Sequence, residues 1–107
     1  METISSMDQF QQKIASRESF LLFVKTDHCS VCEGLKPQVE GLEPDASIPF
    51  YLVNAARVPE IAGQLMLFTA PVVILFKEGK EHLRFARFVR MDELESRLGE
   101  LEAQLDG

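Results

Sequence analysis

"TDHCSVCEGLKP" (residues 26–37) holds the only two cysteines of the chain, Cys29 and Cys32, with Ser30 and Val31 between them. It follows "SFLLFVK" (residues 19–25), a continuous apolar run of the kind a strand buried on both faces shows. Downstream, Leu35, Val39 and Leu42 recur at helical spacing, so the cysteine segment opens a helix. Pro37 lies inside that helix and predicts a kink there. At such a helix start the two sulfurs are about one turn apart. The first amides are unpaired and the helix dipole is positive, and both effects favour a thiolate. Thiolates are the attacking species in disulfide exchange. Cys29, nearer the helix start, is the expected nucleophile, and Cys32 is placed to resolve the mixed disulfide. A protonated His28 adds to the thiolate's stabilisation, whereas Asp27 and Glu33 oppose it.

Two other readings of the pair stand beside this one. The thiols can be buried and inert, or they can be half of a metal site. Zinc usually takes four ligands, and the chain offers Cys29, Cys32, His28 and the distant His82 without a second cysteine pair. His28 is adjacent to Cys29, which makes joint ligation awkward, so no metal site is expected within one chain. His82 is expected on a solvated strand face with no role.

Bulk properties bound the rest. At 107 residues the chain fits a single domain, residues 1–107, and 46% apolar residues suffice for a core without staples. The net charge of −6 argues against nucleic acid as a partner, since such proteins normally carry a basic face. The N-terminal "METISSMDQFQQKI" lacks a basic start followed by an apolar stretch, so no signal peptide is visible and a cytoplasmic location is expected. Stable disulfides are rare there, and a CxxC pair fits redox cycling or metal binding better than scaffolding. "IAGQLMLFTAPVVILF" (residues 61–76) is strongly apolar but short of the roughly 20 residues a membrane span needs. Gly63, Gln64 and Pro71 interrupt it, so it reads as a helix end plus a buried strand.

The remaining elements follow from periodicity. Ser6 with Gln9 has a capping-box pattern before a helix over Met7–Ala15, and a short strand over Glu2–Ser5 precedes it. Ile48–Asn54 and Pro71–Lys77 read as strands, with a short helix over Val58–Leu65 between them. A Glu78–Gly79 turn returns the chain as an antiparallel partner over Lys80–Val89. Asp92 with Glu95 is expected to cap a last helix carrying Leu94, Leu98, Leu101 and Leu105. Strands alternating with helices, ending in a hairpin, give an α/β fold whose sheet starts parallel and finishes antiparallel.

Strand, CxxC at a helix start, kinking proline, strand, helix, "TAP" (residues 69–71), hairpin and terminal helix together resemble the thioredoxin family over about Phe10–Leu105. The resemblance implies a thioredoxin-like fold: a central mixed sheet of four to five strands flanked by helices on both faces. It implies that Cys29 and Cys32 are the nucleophilic and resolving cysteines, and that their own redox-active disulfide is the only cofactor. It makes Pro71 a cis-proline beside them, with the Ala70 backbone pairing with an extended substrate segment and His28 lining the same surface. Expected partners are a disulfide-containing protein or a small-thiol substrate and an external reductant, with the chain a monomer, no nucleic acid and no membrane.

The departures from the family pattern are specific. The motif reads His-Cys-Ser-Val-Cys, and the chain has no tryptophan. The family's buried acid and its lysine partner fall at Phe23 and Phe50, which cannot move a proton and disfavour a thiolate at a buried Cys32. Lys25, Asp27 or a water are the possible substitutes. Val31 replaces a proline before the second cysteine, which leaves the direction of electron flow open. The basic residues of the hairpin, Lys77, Lys80, Arg84, Arg87 and Arg90, read as protection of an edge strand in preference to a docking site for an acidic partner. Met66, Leu67 and Phe68 form an apolar landing surface if exposed and core if buried. Two functions follow: a small thiol–disulfide oxidoreductase, or a non-catalytic thioredoxin-fold binding or redox-sensing module.

Overall fold

The computed structural model describes residues 1–106. Five strands, β1 (Glu2–Thr3), β2 (Phe20–Lys25), β3 (Phe50–Asn54), β4 (Val72–Lys77) and β5 (Lys80–Ala86), alternate with four helices. The helices are α1 (Met7–Ala15), α2 (Ser30–Glu40), α3 (Pro59–Gln64) and α4 (Met91–Asp106). The strands form one sheet in the order β1-β3-β2-β4-β5. β1 and β2 run parallel to β3, β4 runs antiparallel to β2, and β5 antiparallel to β4. This is the mixed sheet expected, with five strands.

The central position of β2 and β4 explains their unbroken apolar runs, because side chains two apart share a face and both faces are covered. Phe20, Leu22 and Val24 pack with Val72 and Ile74 and with Phe10 and Ile61 of α1 and α3. Leu21 and Phe23 pack with Val73 and Leu75 and with Val39 and Leu98 of α2 and α4. Helices therefore cover both faces. Phe23 and Phe50, where the resemblance would put a buried acid and its lysine partner, are fully sealed in the second of these layers, and no buried residue among those described is polar or charged.

Several boundaries differ from the sequence reading. β5 ends at Ala86 instead of Val89, because Arg87 turns into the left-handed region (φ 67°) and its N–H bonds to the Pro71 carbonyl (3.1 Å). Asp92 does not cap α4. The helix starts at Met91, its first turn closing from Leu94 N–H to the Arg90 carbonyl, and Asp92 instead accepts from Glu93 N–H and pairs with Arg90. Val89 and Met91 pack on the α2/α4 side of the core, and that burial sets where the helix begins. Helix α2 is continuous through Pro37, and Leu42 lies beyond its end while still packing against the same layer. Ser6 does cap α1, accepting from Gln9 N–H at 3.2 Å, while the Gln9 side chain reaches the Ser5 amide.

The apolar segment 61–76 divides into the end of α3, a connecting loop and β4, and among the described residues no helix is long and apolar enough to cross a membrane. The β4–β5 turn docks on the C-terminal end of α1. Gly79 (φ 81°) donates to the Glu18 carbonyl, and a Cβ there would sit 2.6 Å from the Ile14 carbonyl oxygen.

Candidate functional site

The sheet register gathers the chemistry at one end. Val24 of β2 opposes Val72 of β4, Val72 opposes Ala86 of β5, and Lys25 opposes Asn54 of β3. The end of β2, the start of β4 and the ends of β3 and β5 thus share one edge of the sheet. The segments that leave or enter there are Thr26–Cys29, Thr69–Pro71, Ala55–Arg57 and Arg87–Arg90.

After β2 the chain turns through Asp27 and a left-handed His28 (φ 57°), which delivers Cys29 in extended backbone as the N-cap of α2. The Cys29 sulfur takes the capping role usually filled by a serine or aspartate oxygen, accepting from Cys32 N–H at 3.1 Å. The two cysteines form a disulfide, with their Cα atoms 5.2 Å apart. The pair is asymmetric: Cys29 is half-buried, whereas Cys32 is 0% exposed. That asymmetry follows from the helix, which turns Cys29 toward its open end and Cys32 inward.

The two carboxylates flanking the cysteines are both engaged. Asp27 accepts from the Asn54 amide at 2.8 Å with Arg57 at 3.8 Å, and that hydrogen bond leads in holding its carboxyl below the usual carboxylate range. Glu33 pairs with Lys25 at 2.6 Å, and this bond likewise depresses the Glu33 carboxyl. Lys25 shares a strand face with Phe23, two residues away, so it meets α2 at its first turn. Neither Lys25 nor Asp27 is buried in place of the missing acid. The cations beside the two carboxylates, Arg57 at Asp27 and Lys25 at Glu33, reduce the opposition that Asp27 and Glu33 would otherwise offer to a thiolate at Cys29.

Ala70–Pro71 is a cis peptide, Pro71 is buried and Ala70 half-buried. Ala70 and Thr69 line a hollow with Thr26, Leu67 and Phe68, so the proline loop and the residue entering the cysteine turn face one another. Phe68 and Met66 are exposed, while Leu67 packs against the core. On the other flank, Val31 lines a cleft with Leu35 of α2 and with Arg87, Phe88 and Arg90. Val31 is 61% exposed and Phe88 87%. His82 is exposed on β5, and among the described residues no cluster of three or more histidine, cysteine or acidic groups is positioned for a metal.

Over residues 2–100 the chain matches the family model described as Thioredoxin. It belongs to the thioredoxin family. It is 33% identical to "Thioredoxin-like protein YdfQ" of Bacillus subtilis over 92% of this chain and 88% of that protein. It is 27% identical to "Thioredoxin-2, mitochondrial" of Schizosaccharomyces pombe over 76% of this chain and 62% of that one. Among solved structures, Fasciola hepatica thioredoxin superposes with a TM-score of 0.84 at 19% identity, covering 94% of this chain and 98% of its own. Thioredoxin NaTrxh from Nicotiana alata gives 0.85 at 18% identity, covering 94% and 91%. These structures share the fold. The chain is a thioredoxin-like protein with a CxxC pair at disulfide distance, the arrangement of a thiol–disulfide oxidoreductase.

Sequence reasoning did not single out Phe88 as part of this edge. "RFARFV" (residues 84–89) continues the apolar alternation of a strand, and nothing in it marks Arg87 as the residue that leaves the sheet, since left-handed backbone usually goes with Gly, Asn or Asp.

Proposed function

We propose that this single-domain protein reduces disulfides through its dithiol form. The Cys29 thiolate attacks one sulfur of a substrate disulfide, forming a mixed disulfide and releasing the other substrate sulfur as thiolate. Cys32, deprotonated in turn, attacks the Cys29 sulfur, so the Cys29–Cys32 disulfide forms and the second substrate thiol leaves. Two electrons pass from protein to substrate, and an external dithiol reductant returns them. The observation that supports these roles is the difference in access: a substrate or reductant reaches sulfur at Cys29, and Cys32 is sealed. Attack at the accessible sulfur of a disulfide is the rule when the other is buried.

The Ala70 backbone pairs with an extended segment of the substrate beside the cysteines, with Pro71 and His28 shaping the same surface. The protein works as a cytoplasmic monomer on protein disulfides or small-thiol disulfides, using no group beyond its own disulfide. Phe23 and Phe50 offer no proton acceptor beneath Cys32, so release of the mixed disulfide is the slow step. The same two residues favour the second reading, a redox-sensing or binding module whose pair oxidises without turning over. Steady-state reduction of hydroxyethyl disulfide and of a protein disulfide, with a chemical dithiol as electron donor, separates the two. Turnover that is abolished in Cys29→Ser, with a trapped mixed disulfide in Cys32→Ser, supports the oxidoreductase. A pair that oxidises and never exchanges refutes it.

A further inference from the structure

Three of the four described large apolar side chains that stand exposed, Val31, Phe68 and Phe88, lie on segments at the cysteine end of the sheet. Scattered exposed hydrophobics are ordinary, but their collection at one edge marks an interaction surface. Charge then separates its two flanks. The cleft on the α2 side, walled by Val31 and Phe88, is lined by Arg87 and Arg90 and by no carboxylate, in a chain of net charge −6.

Of the other basic residues of the hairpin, Lys80 sits by the turn at the far end of the sheet, and Arg84 and Lys77 have structural partners. Arg84 pairs with Glu81 and donates to the Leu65 carbonyl, and Lys77 donates to Gln104. Arg87 and Arg90 lie past the end of β5 and do not guard its edge. Arg87 is exposed and forms no ion pair among the described residues, and Arg90 holds only an open contact with Asp92 at 3.3 Å. The Arg87 amide is bonded to the Pro71 carbonyl, which fixes this wall of the cleft to the cis-proline.

We propose that this cleft seats the substrate protein's segment next to its disulfide, and that it selects segments in which a bulky apolar side chain adjoins an aspartate or glutamate. The inference rests on the oxidoreductase reading and adds the substrate class. The apolar neighbour covers Phe88 and Val31, and the carboxylate meets Arg87 and Arg90. A second copy of this chain is a poor occupant, since a symmetric contact would bring the same arginines face to face. A small thiol has no side chain large enough to cover Phe88.

The test compares two peptide mixed disulfides with the same leaving thiol, one bearing Leu-Glu beside its cysteine and the other Leu-Lys. Wild type is expected to favour the glutamate peptide roughly fivefold in kcat/KM at low salt, the range of two exposed ion pairs. The preference shrinks as salt shortens the screening length. The double variant R87E/R90E inverts it, and R87Q/R90Q brings the ratio near one. Phe88→Ser lowers kcat/KM for both peptides while leaving their ratio in place. These side chains are exposed, so the variants are expected to melt at the wild-type temperature, and thermal melts check that they fold.

Equal rates for the two peptides in wild type, or a preference that survives R87E/R90E, overturns the proposal. So does an arginine-dependent preference for glutathione disulfide over both peptides, which would assign the cleft to a small acidic thiol. Each of these outcomes leaves disulfide turnover itself standing. Failure to reduce either peptide and hydroxyethyl disulfide as well would instead remove the oxidoreductase reading beneath it.

Discussion

Reduce the protein, dilute it into iodoacetamide, and follow the two cysteines separately by peptide mass. Cys29 is half-buried at the mouth of α2 and reacts from the folded state. Cys32 is fully buried, so its alkylation must wait for the first turn of α2 to open. Opening breaks the Cys32 N–H bond to the Cys29 sulfur (3.1 Å) and the Glu33 N–H bond to the Cys29 carbonyl (3.1 Å). At about 1 kcal/mol each, these two bonds hold roughly 2 kcal/mol. Bringing the buried side chain into water costs about 1 kcal/mol more. Together, about 3 kcal/mol corresponds to a rate ratio on the order of 100 in favour of Cys29. The helix-terminus field favours the thiolate at Cys29 and works in the same direction. In guanidinium chloride the ratio should fall to near one. Comparable rates in the folded protein, or faster reaction at Cys32, would refute the assignment of attacking and resolving roles.

Other outcomes test the scaffold. Tyr51 is the only tyrosine and the chain has no tryptophan, so its ultraviolet titration is unobscured. Burial, then the hydrogen bond to Glu18 and that carboxylate's charge, push its phenol well above the ordinary tyrosine range. The native protein should therefore show little tyrosinate at about pH 11, whereas the urea-unfolded chain titrates near 10. A raised folded value means this stabilisation is complete below about pH 10 and is lost as pH climbs through the folded value, so urea midpoints should fall over that window. Gly79→Ala places a Cβ against the Ile14 carbonyl in left-handed backbone, and should lower stability by about 2–4 kcal/mol in urea titrations. A loss below about 0.5 kcal/mol would contradict the docking of that turn on α1. Glu102 accepts from the Ser47 amide (2.6 Å) and hydroxyl (2.7 Å), tying α4 to the segment before β3. Glu102→Ala should cost about 1–2 kcal/mol, and Ser47→Ala less, by the same denaturation measurement.

Much of this was legible in residue order. The runs at 20–25 and 72–77 are central strands because nothing polar interrupts them, and the cysteines open a helix because a stripe of Leu35 and Val39 follows. The cis geometry of Pro71 came from the resemblance alone, since a proline at a strand start is otherwise compatible with a trans bond. Three features were hidden, each for a physical reason. The end of β5 depends on Arg87 adopting left-handed backbone, a choice made by its bond to Pro71 across the sheet. The start of α4 is set by burial of Val89 and Met91 and overrides the capping pattern at Asp92. The engagement of Lys25 with Glu33, and of Asp27 with Asn54 and Arg57, joins residues from separate elements, and local spacing carries no trace of the latter. The exposure of Phe88 follows from the first of these and could not be read before it.

The central claim is that Cys29 and Cys32 exchange electrons reversibly with thiols in solution. A redox titration of the purified protein in graded thiol/disulfide buffers, quenched by acid, alkylated in guanidinium chloride and read by intact mass, tests it most directly. The account predicts one reversible two-electron transition between a doubly alkylated and an unalkylated protein, with the same midpoint from either direction. A pair that forms no intramolecular disulfide, or one that forms and cannot be reopened by thiol, would contradict it.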